Sequence, residues 1–167
     1  MSERPEKAGR VLAGHGRSMR VLMMLLASLV FMMSQPVAAQ EAADRSKAAM
    51  GWINAFRAQE GRGPLVASDA LSRAAAAHAR DMARKGVFSH AGSDGSDIGD
   101  RARRAGYRFC FIAENIAKGQ RDVQAVLNGW AGSSGHRKNM LAREAQAVAL
   151  VEAPGRIWVM VLGRDGC

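Results

Sequence analysis

The stretch AVALVEAPGRIWVMVLG, residues 147–163, decides how the rest of the chain is read. AVALVEA and IWVMVLG are apolar runs of strand length, and Pro154-Gly155 between them is a turn signal, so the pair reads as a β-hairpin. IWVMVLG shows no clean alternation of apolar and polar residues. A strand with one wet face would alternate, so both faces of this one are expected to be covered. The cover must come from upstream, where the patterns are helical. Helices come first and the clearest strands last, which gives the fold class α+β: a small antiparallel sheet covered by helices.

Moving outward, Val123, Val126, Leu127 and Trp130 form an inward stripe on a helix that begins near Asp122 and stops around Gly132. Before it, residues 107–112 of YRFCFIAENIAKG are aromatic and β-branched and read as extended. Asp97 caps a short helix, IGDRARRAG, with Ile98, Ala102 and Ala105 facing inward. VFSHAGSDGSDIGD, dense in Gly, Ser and Asp, is a loop. DALSRAAAAHARDMARKG is Ala-rich and strongly helical, with Ser68 or Asp69 at its start, Arg84 and Lys85 in its last turn, and Gly86 as its stop. The first helix starts near Ser46, carries Met50, Trp52, Ile53 and Phe56, and ends at EGRGPL; Leu65 and Val66 then pack down. Residues 40–47 are a loose lead-in, and the domain occupies 48–167. No internal repeat is visible.

Residues 21–33, VLMMLLASLVFMM, are an unbroken run of apolar and small residues preceded by Arg17 and Arg20 and followed by Pro36 and Val37-Ala38-Ala39. The run is short for a span, which needs about 20 residues. It reads as a secretory signal peptide over residues 1–39, cleaved after Ala39. Met19, just before Arg20, offers an alternative start. The product would be periplasmic or secreted, and its mature form would not span a membrane.

The chain carries 24 Lys and Arg against 15 Asp and Glu, a net charge of +9. Five of these bases and two of the acids lie in residues 1–39, so the exported part keeps +6. A basic protein invites a nucleic-acid reading. Export argues against it, as does a single Tyr in the whole chain, which leaves no aromatic stacking surface. Anionic envelope surfaces, lipid headgroups or acidic glycans suit the charge better; so does the plain reading that Arg solvates the surface. The two cysteines, Cys110 and Cys167, lie in no CxxC pair, so a zinc ribbon is excluded. In an exported protein they are expected to form a disulfide, worth about 4 kcal/mol in the chain-entropy account.

The sequence has no P-loop, GxSxG, HExxH or dinucleotide fingerprint. Asp94-Gly95-Ser96-Asp97 resembles part of a calcium loop but lacks the closing glutamate, and reads as a turn. His78 falls on or beside the inward stripe of its helix and reads as structural. His90 and His136 each sit in a Gly/Ser-rich stretch after a helix, where functional side chains concentrate. Glu114 lies between them in FIAENIA, where a carboxylate is costly unless paired or solvated in a cleft. Spacing alone does not join the three.

INAFRAQEGRGPL, LSRAAAAHARDMARKGVFSH, AENIAKG, VLNGWAGSSGHRKNML and IWVMVLG, in that order, resemble the CAP superfamily, or SCP domain, over residues 48–164. The likeness is to its short, exported bacterial members. It implies an α-β-α sandwich with a large surface cleft. His90 matches the family's first cleft histidine, in FSH; Glu114 matches the glutamate of GEN, here AEN; His136 matches the second histidine, in GH. The second glutamate of longer members would fall at Ala131-Gly132-Ser133-Ser134, where no carboxylate stands. Asn54, Arg57 and Trp130 match structural positions of the family. AQAVALVEA departs from the Gly-rich GVG usual before the hairpin.

The resemblance implies that His90 and His136 hold a divalent metal such as Zn²⁺ in the cleft with Glu114 beside them, with no organic cofactor. Binding would weaken as the histidines protonate below about pH 6.5. Three functions are expected of such a cleft. The favoured one is a monomeric binding protein for a lipid, a sterol-like molecule or an anionic envelope ligand. The alternative is a hydrolase or protease with His90, Glu114 or His136 as catalytic base and a metal-bound water, Ser133 or Ser134 as nucleophile. The third has His136 merely capping a short helix that begins at Arg137.

Overall fold

The computed structural model describes residues 41–166. The signal-peptide reading, the start at Met19 and Cys167 fall outside them. Ten elements follow in order: β1 (Ala43–Asp44), α1 (Ser46–Gln59), β2 (Val66–Ala67), α2 (Asp69–Lys85), α3 (Ile98–Arg104), β3 (Phe109–Lys118), α4 (Val123–Ala131), α5 (Ser134–Met140), β4 (Ala147–Ala153) and β5 (Ile157–Asp165).

The hairpin is the centre of the sheet. β4 and β5 pair antiparallel from Ala147↔Gly163 to Ala153↔Ile157. Gly155 and Arg156 of the turn take left-handed backbone, at φ 81° and 56°. β3 pairs antiparallel with the other side of β5 and forms an edge. On the far side of β4, β2 pairs parallel and β1 antiparallel, each over two residues. Side-chain alternation then assigns the two layers. Val148, Leu150, Trp158, Met160 and Leu162 pack with Ile53 of α1, Leu127 and Trp130 of α4 and Met140 of α5. Ala149, Val151, Val159 and Val161 pack with Leu71, Ala75 and Met82 of α2 and Ala102 of α3. Both faces of β5 are therefore dry, and the chain is an α-β-α sandwich.

The helix ends follow local chemistry. The Ser68 side chain accepts from Leu71 N, and Gly86 closes α2 at φ 67°. Asp97 and Asp100 form a reciprocal capping box on α3. Asp122 caps α4. Asn54 bonds Leu65 through both its side-chain amide and its carbonyl oxygen, at 3.1 and 2.8 Å. Arg57, 1% exposed, donates to the carbonyls of Gly63, Met140 and Ala142 at 2.7–3.1 Å. These two side chains fasten α1 to the segments that lead into β2 and β4.

Four local expectations need correction. The lead-in is not loose: β1 adds to β4, Asp44 accepts from Ser46 N, and Arg45 pairs with Glu152 at 2.9 Å. Val66 does not pack down but is 65% exposed, because Leu65 takes the inward position and the next side chain of a strand points the other way. The extended segment does not stop at 112 but runs through AENIA to Lys118. His136 lies inside α5 rather than in a loop or at a cap, and the N-cap is Ser133.

Candidate functional site

Glu114 is the hub. It sits inside β3, an edge strand, and its side chain turns toward α2 and α3 with only 3% exposure. Oε2 accepts from Nη2 of Arg101 at 3.0 Å, and Oε1 accepts from Nδ1 of His90 at 2.8 Å. A buried carboxylate is tolerated when an opposite charge and hydrogen bonds replace water, and Arg101 supplies both. The same guanidinium donates to the carbonyls of Ser96 (2.7 Å) and His90 (3.0 Å). Arg101 thus holds the His90 backbone and the Glu114 side chain at once.

His90 is oriented by this arrangement. In the neutral ring, Nδ1–H is committed to the carboxylate and the Nε2 lone pair is left free. The ring is 59% exposed, on the rim of a pocket of about 300 Å³ that Ala91, Ser96, Asp97, Ile98 and Glu114 also line. His78, on α2, is 1% exposed and stands behind Glu114, with Nε2 2.9 Å from the Ser89 carbonyl and 3.8 Å from Glu114 Oε1. Burial keeps its pKa below the ordinary value, although the Glu114 charge pulls the other way.

His136 reaches the site from the other layer. The strand period sends Glu114 and Asn115 to opposite faces of β3. Asn115 is fully buried and donates to the His136 carbonyl at 3.1 Å. Asn139 donates to Asn115 Oδ1 (2.9 Å) and to the Glu114 carbonyl (3.2 Å). Together they lock α5 against β3. The His136 ring lies 6.3 Å from that of Trp130, centroid to centroid, and Trp130 donates from Nε1 to the Ile116 carbonyl at 3.3 Å. Burial, and secondarily the charge of His90, hold the His136 pKa below its ordinary value, so the ring is neutral at pH 7.

His90 and Glu114 therefore form one hydrogen-bonded unit. A positive charge on His90 would lower the His136 pKa, but His136 bonds neither side chain. Among the described residues no group of three His, Cys, Asp or Glu is arranged to hold a metal. Both oxygens of Glu114 are engaged with protein donors, so the carboxylate stands behind His90 rather than beside it. Neither Ser133 nor Ser134 hydrogen-bonds His136. Asp94 accepts from Ser96 N at 2.9 Å and closes a turn, not a calcium loop. Cys110 lies at the irregularity between Phe109 and Phe111 on β3 and is not a free thiol.

Sequence reasoning missed Arg101, Asn115 and Asn139. A signal for Arg101 was present: Ile98, Arg101, Ala102 and Ala105 fall on one helical stripe, and an arginine on an inward stripe requires a buried acid.

The model of the cysteine-rich secretory protein family (CAP) matches residues 50–158. The chain is 36% identical over 107 residues to the uncharacterized protein YkwD of Bacillus subtilis, covering 63% of this chain and 41% of that one. Among solved structures, it resembles an extracellular SCP-domain protein of Bacillus anthracis, at TM-score 0.67 and 27% identity, covering 71% of this chain and 40% of that one. An outer surface protein of Borrelia burgdorferi shares the fold at TM-score 0.66 and 18% identity, covering 76% of this chain and 99% of that one. This chain thus spans about two fifths of the length of its Bacillus relatives.

Proposed function

The chain belongs to the cysteine-rich secretory protein (CAP) family, and from that premise we propose that it is a binding protein of the cell envelope or exterior. Its ligand site is the cleft at the β3 edge between His90 and His136. The observation that carries this reading is the relay from Arg101 through Glu114 to His90. It fixes one imidazole with its Nε2 lone pair outward, and the second imidazole, His136, is held neutral by burial.

The donor chemistry fits a divalent metal such as Zn²⁺ held by His90 and His136. Glu114 would act as the carboxylate that orients a ligating histidine, an arrangement that sharpens ligand basicity. Two protein nitrogens leave the remaining positions of the metal for water or a ligand head group. Such a metal would supply a positive anchor for an anionic or polar head, with a lipid-like or sterol-like body lying along the surface. No organic cofactor enters this reading. Export, a monomeric state, no nucleic-acid partner and a Cys110–Cys167 disulfide complete it. The hydrolase alternative would use the exposed, carboxylate-oriented His90 as general base, but among the described residues no hydroxyl hydrogen-bonds the ring of either histidine.

Zinc titration by calorimetry tests the site. Wild type should bind one ion, and His90→Ala and His136→Ala should each weaken it by about tenfold or more, the scale of losing one ligand or its orienting partner. Unchanged affinity in both variants would refute the metal reading.

A further inference from the structure

A second groove lies on the α2–α3 face, with Arg101 but not His90 in its lining. It has a volume of about 440 Å³, within the range of small-ligand sites. Its wall is α2, and the 92–96 turn and α3 face it. It shares Ser96 with the pocket beside His90 and Arg101 with the relay to that histidine, but Arg73, Asp81, Arg84 and Asp94 take no part in either.

Its floor is chemically incomplete. His78 spends its Nε2–H on the Ser89 carbonyl, so Nδ1 carries a lone pair, and that atom is buried without a donor. Arg101 spends both terminal nitrogens on Ser96, His90 and Glu114, and its Nε–H is buried without an acceptor. Both residues line the groove, at 1% and 5% exposure. Buried polar atoms in native proteins are rarely left unpaired. One acceptor and one donor are the complement of a hydroxyl, which gives and takes one hydrogen bond each.

The rim has two kinds of polar group. Arg84 has no hydrogen-bond or ion-pair partner among the described residues, and Arg73 donates only to the Ala105 carbonyl at 3.0 Å. These two guanidiniums are open to an anion. Asp81 accepts from Ser93 N and Oγ at 2.7 and 2.6 Å, and Asp94 pairs with Arg104 at 2.6 Å. Two carboxylates beside the arginines disfavour a compact dianion such as phosphate but accept hydroxyl donors well.

We propose that this groove is a binding site for an acidic saccharide. Its sugar hydroxyls pair with the aspartates and, as the floor adjusts, with the His78–Arg101 pair, and two separate carboxylates are held by Arg73 and Arg84, which stand about 16 Å apart along α2. The test is an NMR titration of the full chain with digalacturonic acid, its dimethyl ester and inorganic phosphate. Digalacturonate should give saturable amide shifts centred on α2 and the 92–96 turn. The dimethyl ester, and an Arg73→Gln/Arg84→Gln variant altered only at exposed positions, should each bind about tenfold more weakly, the scale of a lost charge-assisted hydrogen bond. Three results would overturn the proposal: no saturable shift up to about 20 mM sugar acid, well above ordinary weak affinities; equal binding of acid and ester; or phosphate binding more tightly than the sugar acid.

Discussion

Replacing Arg101 by methionine should be among the most damaging single changes in this chain. The guanidinium is 5% exposed and faces a carboxylate that is 3% exposed. Methionine fills similar space but leaves Glu114 as a buried charge with only the half-exposed His90 and the neutral His78 beside it. It also strips a donor from the Ser96 and His90 carbonyls. Removing one partner of a buried ion pair costs about 3–5 kcal/mol, a large part of the roughly 5–15 kcal/mol that holds an ordinary domain folded. Urea unfolding of Arg101→Met against wild type measures it. The decisive comparison is the double variant Arg101→Met/Glu114→Gln. If the penalty is the stranded charge, neutralising Glu114 should restore about 2 kcal/mol or more, seen as a positive coupling in the cycle. A loss below about 1 kcal/mol, or no recovery in the double variant, would refute the view that Arg101 compensates Glu114.

Two further outcomes follow from packing and protonation. A Cβ at Gly163 would stand 2.7 Å from Tyr107 Cε1 and 3.0 Å from its hydroxyl; Gly163→Ala should therefore cost roughly 1–3 kcal/mol by overpacking, read as a lower urea midpoint, and a neutral result would show that the ring moves freely. Burial, above all, holds the pKa of folded His78 below its ordinary value of about 6.5. As pH falls through about 6.5 the unfolded chain binds a proton that the folded chain does not, so stability is full above that pH and declines below it. His78→Gln should flatten this acid-side slope by up to about 1.4 kcal/mol per pH unit; an unchanged slope would place the titration elsewhere.

Much of the fold was legible because its physics is local. Ser68, Gly86, Asp97 and Asp122 mark helix ends through hydrogen bonds to neighbouring residues, and each stands where the structure puts an end. The unbroken apolar run of β5 correctly implied two covering layers. What escaped were features set by pairing over long sequence separations. β1 and β2 are two residues each and exist only because β4 offers them an open edge more than 80 residues away in sequence. AENIA did not read as strand because its polar residues have little strand propensity; Glu114 and Asn115 are tolerated there by partners on α3, α5 and the His90 loop.

The same two residues explain how a site forms between segments that spacing could not connect. Adjacent residues of a strand face opposite layers. In the middle of a sheet that would isolate Glu114 from Asn115, and with them the histidine each one positions. At an edge strand it does not, because no further strand separates the layers there. Among the described residues β3 pairs only with β5. Arg101 and Glu114 hold His90 from one side, and Asn115 and Asn139 hold α5 and His136 from the other. The dipeptide Glu114-Asn115 is therefore the hinge of the candidate site. The glutamate was conspicuous as an acid in an apolar stretch, whereas the asparagine looked like an ordinary polar neighbour, although it bears as much of the positioning.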